Sequence, residues 1–257
     1  MTGNPVSSLM RHDRALLFAS LAAVAALAWT YLLLGAGIEM ETMDMGGGQI
    51  MMMAPEWSIS YAAIVAVMWA IMMIAMMLPS AAPVVLLSDA LDRHRGTVAA
   101  ARRSAFFLSG YLIVWFAFSL VATALQWALD EAGLLSETMA VSNRVLAGTT
   151  LVVAGLYQWT PLKQACLNHC RSPAEFLVRH SREARLVTGV RHGLFCLGCC
   201  WMLMALLFVG GLMNLSWIVG IAVLVLIEKT LPWGGWMSRI IGLVLVGWGA
   251  SALAMMG

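Results

Sequence analysis

The stretch Tyr61-Ala-Ala-Ile-Val-Ala-Val-Met-Trp-Ala-Ile-Met-Met-Ile-Ala-Met-Met-Leu78 contains no charged residue. Its length is close to the roughly 20 apolar residues that cross the ~30 Å hydrocarbon core of a bilayer. The whole chain of 257 residues is similar, with 61% hydrophobic and 11% charged residues, whereas about a quarter of the residues of soluble domains are charged. The sequence therefore predicts an all-α, polytopic transmembrane helix bundle that forms a single domain over residues 1–257.

Apolar runs of transmembrane length recur along the chain, and they predict about seven spans. The first run is too long for a signal peptide, so we expect a retained anchor. The sixth run is the shortest, and its length alone does not decide whether it crosses the whole membrane. The runs are Ala15–Leu34, Trp57–Leu78, Ser104–Ala128, Val141–Trp159, Gly193–Leu212, Asn214–Ile227 with a few residues more, and Ile240–Met256.

Basic residues predict the orientation of these spans. If the N-terminus is cytoplasmic, every Lys and Arg except Arg144 falls in a cytoplasmic segment, as the positive-inside rule requires. The extracytoplasmic segments are instead acidic, with Glu39, Glu41 and Asp44 in the first of them. Topology thus accounts for the basic residues, so the predicted partner is the lipid bilayer and no nucleic-acid partner is indicated.

All five cysteines lie in two short clusters, Cys166-Leu-Asn-His-Cys170 and Cys196-Leu-Gly-Cys199-Cys200. Residues spaced by three or four share one side of a helix, so each cluster can present its sulfurs together. Both clusters fall at the predicted cytoplasmic face, where thiols stay reduced and metal binding is favoured over disulfides. We expect the two clusters to form one site, with His169 as an auxiliary ligand.

The segment around the first cluster, residues 160–192, reads as a basic cytoplasmic loop. Pro161 and Pro173 predict a short interfacial helix between them. His180 and His192 are expected to be solvated. The second cluster is expected on the first turns of the fifth span, where a helix N-terminus would favour thiolates.

Methionines form two further groups of candidate ligands, because thioethers bind Cu(I) without losing a proton. The first group lies in the acidic extracytoplasmic loop of residues 36–56, which could equally be a plain linker. The second group lies in the second span, where core packing is the alternative. The candidates are Met40, Met43 and Met45 in the loop, and Met68, Met72, Met73, Met76 and Met77 in the span.

Other features are less specific. Glu228 and Lys229 form the one candidate ionisable pair in a span, and Gly242 and Gly247 suit close helix contacts. The histidines all fall outside the spans, which argues against a bis-histidine haem within the bilayer. A phosphate-binding Gly-Lys-Ser/Thr motif is missing, so ATP-driven pumping by this chain is not predicted. No catalytic residue is assigned.

Three stretches carry a resemblance to a known family: Ala75-Met-Met-Leu-Pro-Ser80, the segment Tyr157–Pro173, and Gly193-Leu-Phe-Cys-Leu-Gly-Cys-Cys-Trp-Met-Leu-Met204. They resemble the hallmark stretches of bacterial proteins known as predicted metal-binding integral membrane proteins. The resemblance runs from about Trp57 to the C-terminus. It implies a multi-pass protein of the bacterial inner membrane that binds a metal.

Together these patterns favour a protein that handles Cu(I), by uptake or by delivery to membrane cuproproteins, through methionine sites that lead to the cysteines. A copper chaperone or a cuproprotein is the expected protein partner. One alternative is a structural Zn²⁺ site in a membrane scaffold or assembly factor. Another is a thiol-based redox protein. The oligomeric state is open, with a homo-oligomer among the alternatives.

Overall fold

A computed structural model describes residues 5–35, 41–44, 50–53, 57–97, 99–136, 138–231 and 233–255, with side chains from residue 15 onward and outside the two strands. The elements are α1 (Pro5–Leu33), β1 (Glu41–Asp44), β2 (Ile50–Met53), α2 (Ile59–His94), α3 (Ala100–Glu131), α4 (Arg144–Tyr157), α5 (Pro161–Arg171), α6 (Pro173–Arg179), α7 (Arg185–Ala205), α8 (Leu207–Gly210), α9 (Leu215–Thr230) and α10 (Gly234–Ala254).

The all-α prediction is confirmed for the bundle, and the two strands are a small addition to it. They pair antiparallel as a hairpin, with Glu41 opposite Met53. Five of the described helical segments are long and apolar enough to cross a membrane, namely α1 from Ala15, α2, α3, α7 continued by α8, and α10. The two other predicted spans coincide with the shorter helices α4 and α9, so the count of seven stays a prediction.

Helix α2 extends well beyond the span that the sequence predicts. It contains 36 residues, about 54 Å at 1.5 Å per residue, and includes Pro79 and Pro83 in its interior. The sequence prediction ended the span at Leu78 because proline cannot donate the helical hydrogen bond. The helix continues because neighbouring elements pack around this stretch, in which Ala81, Val84 and Val85 are buried.

Helices α3 and α7 approach each other closely through two glycines. A Cβ atom on Gly110 would lie 2.1 Å from the carbonyl oxygen of Leu186, and one on Gly189 would lie 2.0 Å from that of Phe107. Beyond these contacts, the buried Arg185 donates hydrogen bonds to Asp92 at the end of α2. This packing makes α7 begin at Arg185, about two turns earlier than the predicted fifth span.

Replacing Gly189 with alanine is expected to lower the stability of the protein by about 1–3 kcal/mol, because the new methyl group forces the two backbones apart. The measurement is the midpoint of thermal unfolding of the protein in detergent. Gly220→Ala is the matched control, since an added Cβ there meets nothing within 4 Å. Equal unfolding midpoints for the two variants would contradict this account of the interface.

Helices α4 and α10 form a second glycine-mediated pair. A Cβ on Gly242 would lie 2.8 Å from the carbonyl oxygen of Gly155, and one on Gly249 would lie 2.7 Å from that of Gly148. The predicted close contact at Gly242 is therefore confirmed. The prediction for Gly247 is wrong, because a Cβ there meets nothing within 4 Å. Residues seven apart share a helix face, whereas a separation of five turns Gly247 away.

Candidate metal centre

The short helix α5 positions the first cysteine cluster. Pro161 occupies its first turn, the Thr160 side chain caps it by accepting from the Lys163 amide, and the helix ends before Pro173. This matches the prediction from the two prolines. The helix packs against α7 and buries Cys166 and Cys170, which are 8% and 9% exposed.

The two cysteine clusters meet between α5 and α7. The Sγ atom of Cys170 lies 3.9 Å from that of Cys199, which confirms the prediction that the clusters converge. Hydrogen bonding with Cys196 and Cys199, together with burial, raises the pKa of the Cys170 thiol well above its usual value. A metal that binds Cys170 would therefore have to displace a proton.

Cys196 is at the centre of a polar cluster that sequence analysis did not foresee. Its Sγ atom lies 2.8 Å from the Lys229 ammonium nitrogen and 3.1 Å from the Tyr111 hydroxyl oxygen. The same ammonium lies 3.9 Å from Cys200 Sγ and 3.6 Å from Met77 Sδ. Elements distant in sequence, α2, α3, α7 and α9, thus contribute polar or sulfur atoms around one buried thiol.

The location of Cys196 within α7 differs from the sequence prediction. Arg185 begins the helix about three turns before Cys196, so the cysteines occupy the middle of the helix. The helix dipole acts within the first turn, so it does not favour a thiolate there. The cation near Cys196 is Lys229 instead, while Cys199 and Cys200 donate to the Cys196 carbonyl at 3.0 Å each.

Cys166 lies to one side of this convergence. Its sulfur packs against α7 at Gly198, where a Cβ atom would lie 2.7 Å from it. The Tyr157 hydroxyl donates to the Gly198 carbonyl at 2.5 Å and holds this stretch of α7 in place. Burial is the main reason that the pKa of the Cys166 thiol is raised above its usual value, and the neighbouring Cys199 raises it further.

His169, the predicted auxiliary ligand, does not contact the thiols in this arrangement. Its ring stacks on Phe195 with centroids 4.2 Å apart, and its Nδ1 atom is 2.8 Å from the Ala165 carbonyl oxygen. The expectation of solvated histidines at 180 and 192 is wrong, since His180 is 8% and His192 is 3% exposed. Burial lets each ring pack on aromatic side chains, and both lie against Phe176 in tilted arrangements.

The methionines of α2 are all buried, with Met68, Met72, Met73, Met76 and Met77 at 2% exposure or less. Among them, the Met77 sulfur lies 3.6 Å from the Lys229 ammonium nitrogen, in the polar cluster around Cys196. Met40 and Met45 lie outside the described residues, and Met43 lies in β1, where side chains are not described. The ligand role of all these methionines stays a prediction.

Sequence analysis paired Glu228 with Lys229, and the structure corrects this. Glu228 accepts from Lys163 at 2.8 Å and from Ser238 at 2.9 Å. Lys163, predicted in a cytoplasmic loop, is completely buried and also donates to the Gln158 side chain. Adjacent residues on a helix point about 100° apart, so Glu228 and Lys229 face different neighbours. The pairing leaves Lys229 directed at the thiols.

A further thioether was missed at the other end of the bundle. Met139 is 6% exposed and adopts a left-handed backbone with φ of 54°, which is uncommon for a residue other than glycine. Its sulfur accepts from the Gln126 amide at 3.2 Å, and that amide accepts from the Trp69 indole at 2.8 Å. No sequence pattern distinguishes Met139 from the other loop residues.

The thiols are close together, but they do not form a closed shell. Among the residues that the structure describes, no group of three or more His, Cys, Asp or Glu side chains is placed so that it could hold a metal ion. Two sulfurs 3.9 Å apart can nevertheless share one ion, because two bonds of about 2.3 Å span up to about 4.6 Å. The arrangement therefore suits two-coordinate binding by soft ligands better than a tetrahedral site.

The described part of the chain is thus a helix bundle with five helices long and apolar enough to cross a membrane, and it contains buried thiols beside a lysine ammonium. Residues 66–252 match the model of the PpoB2 family, described as copper chaperones, and the chain belongs to this family. No curated protein and no solved structure matches the chain.

Proposed function

We propose that the protein is a membrane copper chaperone that holds Cu(I) as cargo between Cys170 and Cys199 and delivers it to a cuproprotein. The observation that carries the proposal is the 3.9 Å separation of these two sulfurs, which belong to different helices. Thiolates select Cu(I) among the ions available to such a site, and two of them suffice. Membership of the copper-chaperone family supports the same cargo.

Charge balance favours Cu(I) over a zinc site with four thiolates, whereas zinc with three thiolates and His169 would carry the same charge as Cu(I) with two thiolates. One Cu(I) with two thiolates carries a net charge of −1, whereas Zn²⁺ with four thiolates carries −2. A buried charge is costly unless it is compensated nearby. Lys229 supplies one positive charge beside Cys196 and Cys200, which lie on the same helix as Cys199, and Glu228 is occupied by Lys163. A single nearby ammonium therefore matches the charge of the cuprous bis-thiolate.

Under this proposal the α2 methionines supply weak sites from which copper reaches the thiols. Met77 supports this role, because its sulfur and the two thiols Cys196 and Cys200 surround the same ammonium. Exchange from thioethers to thiolates would be downhill without ATP, since thiolates bind the ion more tightly. Delivery, rather than uptake, follows the description of the family.

The direct test is copper binding by the anaerobically purified protein. Cys199→Ser is expected to weaken Cu(I) binding by more than about 100-fold, because even changes outside the ligand shell cost about 10–100-fold. Cys166→Ser is the matched control and is expected to retain the bound copper, since that thiol packs against Gly198. Affinity is measured by competition with a chromophoric Cu(I) chelator, and metal content by elemental analysis.

A second experiment, on methionine variants in cells, helps to distinguish copper from zinc. In cells, the double change Met72→Leu with Met76→Leu is expected to lower cuproprotein loading while protein abundance stays near normal, because the swap nearly conserves volume. A protein that purifies with one zinc whatever the copper supply, and whose Cys199→Ser variant keeps its copper affinity, would reject the proposal in favour of the structural zinc site.

A further inference from the structure

A polar cavity adjoins the thiol site. It has a volume of about 520 Å³ and lies between the C-terminal ends of α5 and α9. Two of its lining residues are cations and none is a carboxylate. They are Asn168, Arg171, Ser172, Lys229, Thr230 and Leu231.

Lys229 connects this cavity with the cysteines. Its side chain lines the cavity, and its ammonium nitrogen lies 2.8 Å from Cys196 Sγ and 3.9 Å from Cys200 Sγ. On the α5 side, Arg171 follows Cys170, whose sulfur lies 3.9 Å from Cys199 Sγ. Lys229 therefore belongs both to the lining of the cavity and to the surroundings of the thiols.

We infer that this cavity binds a small anionic thiol, a compound with a sulfhydryl group and carboxylates, which exchanges Cu(I) with the cysteines. The inference rests on the proposed function. A carboxylate would pair with Arg171, because Arg forms strong bidentate hydrogen bonds with carboxylates, while the Lys229 ammonium faces the thiols. The volume falls within the range of small-molecule sites, about 300–1,000 Å³, and suits a tripeptide better than a protein domain.

The exchange is a substitution at the metal. A Cu–S bond to the incoming thiolate forms while the bond to one cysteine breaks, and copper stays monovalent throughout. The proton of the incoming thiol passes to the cysteine that leaves the metal. No oxidant or reductant is needed, and the step runs in either direction according to concentration.

The test uses the full-length protein loaded anaerobically with Cu(I) and glutathione as the probe. Copper release is followed by rapid desalting and elemental analysis at increasing glutathione concentrations. We expect the release rate to saturate, S-methylglutathione to compete, and cysteamine, which lacks carboxylates, to show no saturation. Arg171→Gln is expected to raise the half-saturating concentration about tenfold by removing a charged hydrogen bond, worth about 1.4 kcal/mol.

Arg179→Gln is the control, because this cation is 68% exposed and does not line the cavity. A non-saturating release, or equal behaviour of both arginine variants, would overturn the inference while leaving copper binding intact. A protein that takes up no copper at all would instead reject the proposed function. If Arg171→Gln alters only the retention of phosphatidylglycerol in mixed vesicles, the cavity is a lipid headgroup site and the inference is wrong.

Discussion

Lys229→Met is expected to weaken Cu(I) binding by about 100- to 4,000-fold without preventing the protein from folding. The change removes the buried ammonium that lies 2.8 Å from Cys196 Sγ and 3.9 Å from Cys200 Sγ, so the proposed cuprous bis-thiolate of Cys170 and the neighbouring Cys199 would lose a nearby compensating charge. Losing one partner of a buried charge pair costs about 3–5 kcal/mol, and each 1.4 kcal/mol corresponds to a factor of ten. Chelator competition on the purified variant measures the effect.

Two controls separate charge from packing in this experiment. Lys229→Arg keeps a positive charge and is expected to retain most of the affinity. Arg239→Met removes an exposed cation that lies over the Trp236 ring, and it is expected to leave copper binding unchanged. If Lys229→Met bound copper as tightly as the wild type, the ammonium would not be the counter-ion of the site.

Lys163→Met is expected to produce the largest loss of stability, about 3–5 kcal/mol, because it leaves the Glu228 carboxylate buried without its cation. Both side chains are nearly inaccessible, at 0% and 2% exposure, and Ser238 gives the carboxylate one remaining hydrogen bond. The measurement is the midpoint of thermal unfolding in detergent, with the recovery of folded protein as a second readout.

The double variant Lys163→Met with Glu228→Met is expected to recover part of this loss, since an apolar pair of similar volume often replaces a buried ion pair at little cost. Recovery stays partial because Gln158 and Ser238 also lose their partners. Arg179→Met breaks an exposed pair with Glu175 at 3.8 Å and should not shift the midpoint measurably. A double variant less stable than either single one would contradict the buried-pair account.

Local sequence patterns predicted a large part of this structure. Apolar runs identified the long helices, since burial in hydrocarbon requires uninterrupted apolar residues over the whole crossing. Prolines at 161 and 173 predicted the short helix α5, because proline favours the first turn of a helix and cannot continue one. Helical spacing placed each cysteine cluster on one face, and adjacency along the chain brought the two faces together.

Helix limits were predicted less well, because they depend on neighbours that a sequence pattern does not identify. Helix α2 continues through Pro79 and Pro83 where surrounding elements pack against it. Helix α7 begins at Arg185 because that side chain pairs with Asp92, which lies far away in sequence. The burial of His180 and His192 also results from packing between helices. The basic residues around them had indicated a solvated segment instead.

The sequence by itself determined the membrane-protein class, the cysteine clusters and the methionine group of α2, because each depends on composition or on spacing within one helix. Only the tertiary structure decided which charges meet. It joined Glu228 to Lys163 and directed Lys229 to Cys196, across 65 and 33 residues of sequence. Helix packing determines these partners, because a buried charge is costly unless a counter-charge from another part of the folded chain lies next to it.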